Sequence, residues 1–207
     1  ITNAAGEYTA YRNITVTADD IEIGEIEQVN PTLNMETSCK VEIHIYDAHG
    51  RHVGPNETGE IDIEIPGAYY SNMTIDNETF VVASVYYGIE NYTFIIKSLG
   101  NDTMNMTLKI SPKDGNWVEA VYNNVTLYNR SVATLNVNGT IVNYTMLIED
   151  PSGEVRNINP SPPTIVYVDD DFNFSTPGWQ YDHFNKIQDG INAVAEGGTV
   201  YIYNGTY

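Results

Sequence analysis

Apolar and polar residues alternate along much of this chain, a period of two that turns one side of an extended strand to a core and the other to water. Cys39, Val41, Ile43 and Ile45 are separated by Lys40, Glu42 and His44, with Tyr46 following. Ile61, Ile63 and Ile65 bracket Asp62 and Glu64 in the same manner. Tyr92, Phe94 and Ile96 form a third stripe, and Met106, Leu108 and Ile110 a fourth. Turn chemistry falls between them, at Asp47-Ala48-His49-Gly50, Gly54-Pro55-Asn56, Pro66-Gly67 and Gly100-Asn101. Short strands at this spacing, with no helical period among them, predict a β-sandwich over 21–113.

A second stretch, 114–158, predicts a smaller β unit. Val125 and Leu127 alternate, as do residues across Val132–Val137, and Asn138-Gly139 is a type I′ hairpin signal leading into Ile141–Ile148. Asp150-Pro151-Ser152-Gly153 is a further turn. So short a unit buries little apolar surface alone, so it is expected to pack on a neighbour. Pro160, Pro162 and Pro163 make 159–163 a stiff, extended linker. The character then changes over 164–207. Thr164–Val168 predicts a strand, and Phe184, Ile187, Ile191 and Val194 predict one face of a helix from Asp182 to about Glu196, closed by Gly197-Gly198. Thr199–Tyr203 returns to strand. The expected fold class is all-β: an Ig-like β-sandwich plus the smaller β unit, ending in a single cap helix and a first strand.

Two segments carry family resemblances. Val41–Gly59, with Tyr46-Asp47-Ala48-His49-Gly50 before Val53, resembles the Ig-like repeats of bacterial and archaeal surface proteins, in which a strand enters a polar D-x-x-G turn. Asn3-Ala4-Ala5-Gly6-Glu7-Tyr8-Thr9 is similar to the turn before a late strand of such domains, so 1–20 is expected to be the last strand of a preceding repeat or a strand donated to a neighbour. The more specific resemblance is at the other end. Tyr167-Val168-Asp169-Asp170-Asp171, Gly178-Trp179, Ile187-Gln188-Asp189-Gly190-Ile191 and Gly197-Gly198-Thr199-Val200-Tyr201 through Tyr207 look like the opening of a pectate-lyase-like right-handed parallel β-helix of archaeal surface proteins. That resemblance implies a cap helix and a first rung, with further rungs in a longer parent protein or pairing with another molecule. It assigns no catalytic residue, because the catalytic groups of β-helix lyases come from later coils.

Composition narrows the function. Among 207 residues, 9 Lys+Arg oppose 28 Asp+Glu for a net charge of −19, and the shortfall is in basic residues. Nucleic acid and anionic membrane are therefore poor partners, since both require Lys and Arg to neutralise phosphate. One cysteine, Cys39, excludes an internal disulfide or a thiolate cluster, and no apolar run is long enough to span a membrane.

What stands in for charge is a set of thirteen Asn-x-Ser/Thr sequons: Asn13, Asn56, Asn72, Asn77, Asn91, Asn101, Asn105, Asn124, Asn129, Asn138, Asn143, Asn173 and Asn204. With 23 Asn in the chain, chance placement gives roughly three such triplets, and the fondness of Asn and Thr for turns at most doubles that. A secreted, heavily N-glycosylated protein is expected, each used Asn standing on a solvent face.

Candidate chemistry is sparse. Asp169, Asp170 and Asp171, near Asp182 and His183, offer hard oxygen ligands for Ca²⁺, or form a polar turn. His44, His49 and His52 could meet as a transition-metal site or be solvated turn residues. Asp62 and Glu64 share one strand face, so they cannot confront each other across a glycosidase cleft. Tyr69-Tyr70, Tyr86-Tyr87 and Tyr201/Tyr203, among 16 Tyr, are candidate sugar platforms or ordinary strand residues. No hydrolase, zinc-protease, phosphate-loop or dinucleotide motif occurs. The expectation is a non-catalytic extracellular structural protein of an archaeal cell surface, from a surface layer, sheath, filament or adhesin, self-associating or bound to neighbouring subunits and needing no cofactor. The alternatives are the N-terminal part of a secreted β-helix polysaccharide lyase or hydrolase, and a glycan-binding module.

Overall fold

The computed structural model describes residues 31–75, 78–111 and 117–207. The expected terminal or donor strand over 1–20 lies outside them. The fold is all-β with one short helix, and its main body is two antiparallel sheets face to face. Strands β1 (Thr32–Ser38), β5 (Tyr69–Ile75), β6 (Glu78–Tyr86), β8 (Asp102–Ser111) and β9 (Val118–Leu127) form the first sheet, in the order β5-β6-β1-β8-β9. The second contains β2 (Val41–Asp47), β3 (His52–Pro55), β4 (Ile61–Ile63), β7 (Asn91–Ser98), β10 (Val132–Asn138), β12 (Met146–Glu149) and β13 (Val155–Ile158). Its order is β13-β12-β10-β7-β2-β3-β4, with the two-residue β11 (Ile141–Val142) on β10. The chain crosses between the sheets repeatedly, so strands distant in sequence close one sandwich. Strands from 114–158 extend both sheets rather than forming a sheet of their own.

The alternating stripes explain this arrangement. Val41, Ile43 and Ile45 of β2, Tyr92, Phe94 and Ile96 of β7, and Ala133, Leu135 and Val137 of β10 face inward, meeting Leu33 and Met35 of β1 and Met106, Leu108 and Ile110 of β8. Their burial in one continuous core supplies the driving force, about 25 cal/mol per Å² of apolar surface removed from water. One stripe behaves otherwise. Ile61 and Ile63 are exposed, because β4 is the outermost strand of its sheet, and only Ile65, in the turn beyond it, reaches the core.

The last segment is a small layer of its own. β14 (Ile165–Val168) pairs in parallel with β15 (His183–Phe184) on one side and β16 (Thr199–Ile202) on the other, and α1 (Ile187–Ala193) connects β15 to β16. The helix is shorter than its apolar spacing predicts. Phe184 belongs to β15, the backbone is extended at Lys186 and Val194, and the Gly197-Gly198 pair lies in a later turn instead of capping the helix. Ile191 points outward, and Gly190 takes its place against the sheet. A side chain at Gly190 would come within 2.6 Å of Val168 and 3.1 Å of Val166, so the helix rests on the sheet where it lacks one. Val166, Val168 and Phe184, with Ile187, Ala193, Val194 and Val200 around them, form this second core.

Tyr181 joins the layer to the sandwich. Its ring stacks on Tyr144 at 4.8 Å and its hydroxyl lies within hydrogen-bond reach of the Glu119 and Ser161 carbonyls. The Ser161 amide donates to the Val121 carbonyl, tying the proline-rich linker to β9.

Candidate functional site

The sequons are the most numerous candidate group, and their placement follows from strand geometry. Asn13 and Asn77 lie outside the described residues. Of the remaining eleven, ten are exposed, Asn56 is half-buried, and none is buried. They stand at outward strand positions or in turns, where the alternation that buries their neighbours turns them to water. Several are cross-strand neighbours. Asn91 of β7 pairs with Asn138 of β10. Asn101, just before β8, accepts the amide of Asn129, just after β9, on its Oδ1 at 2.8 Å, and on the paired strands Asn105 Oδ1 accepts the Asn124 amide at 2.9 Å. In both hydrogen bonds the oxygen accepts, leaving Nδ2, the atom that carries sugar in an N-glycan, directed elsewhere. Asn56 and Asn173 are exceptions: Asn56 Nδ2 donates to Asp62 at 2.9 Å while its Oδ1 accepts from Thr58 and Glu60, and Asn173 Nδ2 donates to the Asp171 carbonyl at 3.0 Å.

The acidic run serves largely as a turn. Asp169, Asp170 and Asp171 bring three carboxylate oxygens within 4.8 Å of one another. Two of these carboxylates are already engaged: Asp169 accepts the Asp171 amide at 3.0 Å, and Asp170 accepts the Thr206 amide at 2.9 Å, drawing the 204–207 turn onto the β14 loop. Among the described residues a second acidic group with cation-binding spacing, Asp47, His49 and Glu90, already holds a cation, because Arg51 bonds both carboxylates.

The three histidines do not converge. His49 is exposed beside Glu90, whereas His44, expected on a solvated outer face, is only 3 % exposed and hydrogen-bonds His52. Nothing in the spacing of 44 and 52 announces that contact; the signal that could have found it is Gly54, which leaves room beside His44 for the neighbouring strand's side chain.

The tyrosine pairs separate as strand residues do. Tyr70 and Tyr87 are buried while Tyr69 is exposed, so neither adjacent pair forms a platform. Tyr201 and Tyr203 remain together at the surface. In-register pairing stacks His183, Tyr167 and Tyr201 across the parallel sheet, with centroids 5.0 and 5.7 Å apart, and Tyr203 lies 6.4 Å from Tyr167. Beside this ladder a groove of about 490 Å³ separates the sandwich from the terminal layer. Each carboxylate lining it has a partner: Glu119 bonds Lys109 at 2.7 Å and Asp182 bonds His183 at 2.8 Å. Burial raises the Asp182 pKa, with His183 opposing the shift. The Cys39 thiol, buried beside Thr37, is pushed up to about 11 by desolvation and is therefore a poor nucleophile. Among the described residues, no helix is long and apolar enough to cross a membrane.

No family model, curated protein or solved structure matches this chain.

Proposed function

We propose that this chain is a non-catalytic structural segment of an extracellular cell-surface protein, of the archaeal surface-layer, sheath, filament or adhesin kind, clothed in N-linked glycans and associating with further copies or neighbouring subunits. The observation that carries the reading is the placement of the sequons: thirteen occur in 207 residues, and none of the eleven described is buried. Glycans are bulky and hydrated, so a folded chain can carry many of them only where its asparagines face solvent. A surface with so few lysines and arginines gains from them the hydration that charge normally supplies. The carboxylates lining the groove beside the aromatic ladder are engaged by Lys109 and His183, which supports a scaffold over a polysaccharide-cleaving enzyme.

One feature favours a second reading, a glycan-binding module. The Tyr201 ring ends the aromatic ladder and is about half exposed, and such a ring suits the C–H face of a pyranose.

Immunogold labelling of intact source cells, with antibody raised against the folded chain, tests the main reading. Label on the outer surface is the expected result, and label that appears only after permeabilisation would overturn it.

A further inference from the structure

A glycosylation triplet is read at two side chains: the asparagine, whose Nδ2 takes the sugar, and the Ser or Thr hydroxyl two residues on. Ten of the eleven described triplets keep both residues exposed or half-buried, among them Asn101 with Thr103 and Asn204 with Thr206. The Asn129-Arg130-Ser131 triplet does not. Asn129 is exposed, whereas Ser131 is fully buried. Folding has divided this triplet between the surface and the core.

The division follows from where the triplet lies. It links β9 of the first sheet to β10 of the second, so its residues pass from one layer to the other. Ser131 Oγ donates to Asp150 Oδ1 at 2.6 Å and accepts the Tyr128 amide at 3.0 Å. Asp150 follows β12 and is itself buried, with Arg156 bonded to its carboxylate. The backbone is held as firmly. Asn129 donates its amide to Asn101 Oδ1 at 2.8 Å, Arg130 to the Ser98 carbonyl at 3.0 Å and Ser131 to the Tyr128 carbonyl at 2.8 Å. The Ser131 carbonyl accepts the Ser98 amide at 2.9 Å. Arg130 has φ 73°, a left-handed conformation uncommon for a residue with a side chain. Ser98, Ser131 and Asp150 come from separate strand ends, and they meet only once β7, β10 and β12 have paired. Exposing the hydroxyl again means breaking the bonds that close this corner and leaving buried polar groups unpaired. In the unfolded chain both side chains of the triplet stand in water.

We propose that Asn129 receives its sugar before the sandwich closes, while Ser131 is still open to the transferring enzyme. This rests on the reading that the sequons carry sugar, and adds the order in which modification and folding occur. The co-reactant is a lipid-linked glycosyl phosphate. Asn129 Nδ2 bonds to the anomeric carbon, and the bond from that carbon to the phosphate oxygen breaks with its electron pair on oxygen. One Nδ2 proton passes to a base of the enzyme. The product suits the folded protein, because Asn129 stays exposed when Ser131 is buried. The hydroxyl that marked the site then serves the fold, tying the β9–β10 turn to Asp150.

Cell-free synthesis of the chain with detergent-permeabilised source membranes, which carry the enzyme and its donor, tests the order. The membranes, shown active on a short Asn-x-Thr peptide, are present throughout synthesis in one arm and added after folding in the other. Glycopeptides are then mapped. Asn101 and Asn204 should be modified in both arms. Asn129 should be modified in the first arm and at least about tenfold less in the second, since folded chains offer Ser131 only through local opening. Protein from the native source should carry sugar on Asn129 as it does on Asn101. Equal modification of Asn129 in the two arms would overturn the proposal, as would equal loss of all three sites after folding. So would native protein bare at Asn129 but modified at Asn101 and Asn204. Sugar absent from all three, in native protein and in both arms, is a different failure: it removes the glycosylated reading itself and this proposal with it.

Discussion

Replacing Asp150 with alanine is expected to lower the unfolding free energy by about 3 kcal/mol, measured by chemical denaturation. Asp150 is 4 % exposed at the head of the β12–β13 turn. Arg156 donates to it from Nε at 2.7 Å and from the terminal guanidinium nitrogen at 3.0 Å, and the Ser131 hydroxyl donates at 2.6 Å. Removing the carboxylate leaves the proton of the fully buried Ser131 hydroxyl without its acceptor, though its oxygen still takes the Tyr128 amide, and leaves the partly buried Arg156 with one carbonyl, that of Thr126. A buried pair broken from one side costs far more than its net contribution when intact. Arg156, then Ser131, holds the Asp150 pKa below its usual 3.8 against the opposing effect of burial. The sign follows: the native state is favoured above the unfolded pKa, and this contribution is lost as pH falls through the folded one. The unaltered protein should therefore weaken as pH drops below 4, and Asp150→Ala should weaken less steeply. Asp47 repeats the arrangement at the β2–β3 turn. Burial raises its pKa, but the hydrogen bonds from Arg51 and His49 outweigh it. Gly50 and Gly153, three residues after each Asp, both have φ near +80° (78° and 83°), a conformation glycine adopts without strain.

Gly54→Ala is expected to be of similar severity, about 3–5 kcal/mol, read from the same denaturation experiment. Gly54 has φ +137°, and a Cβ built on it would stand 2.5 Å from the Ile43 carbonyl oxygen. Backbone cannot swing aside as a side chain can, so β3 must part from β2, and the His44–His52 contact should be lost with it. An alanine variant of undiminished stability would show that β3 does not approach β2 this closely.

These two positions mark the limit of what patterning reveals. A stripe such as Tyr92, Phe94 and Ile96 is legible because a strand with one buried face must alternate, whichever strand lies beside it. The same rule failed at Ile61 and Ile63, since alternation states that a face is apolar but not that a second sheet extends far enough to cover it. Over 182–196 the spacing of Phe184, Ile187, Ile191 and Val194 fits a single helix, yet Phe184 lies on a parallel strand and Gly190 turns the helix so that Ile191 faces water. The Asp–Arg turns and the His44–His52 contact depend on side chains that meet only after strands pair, so neither periodicity nor motif announces them. Sequon exposure was legible for the opposite reason: a turn or outward strand position is set locally.

The account rests on carbohydrate covering the outward faces of these sheets. The most direct test is glycopeptide mapping, site by site over these residues, of protein from its native source. The account predicts sugar on most of the eleven asparagines shown unburied, including neighbours such as Asn91 and Asn138. Peptides that carry these eleven asparagines wholly unmodified would contradict it.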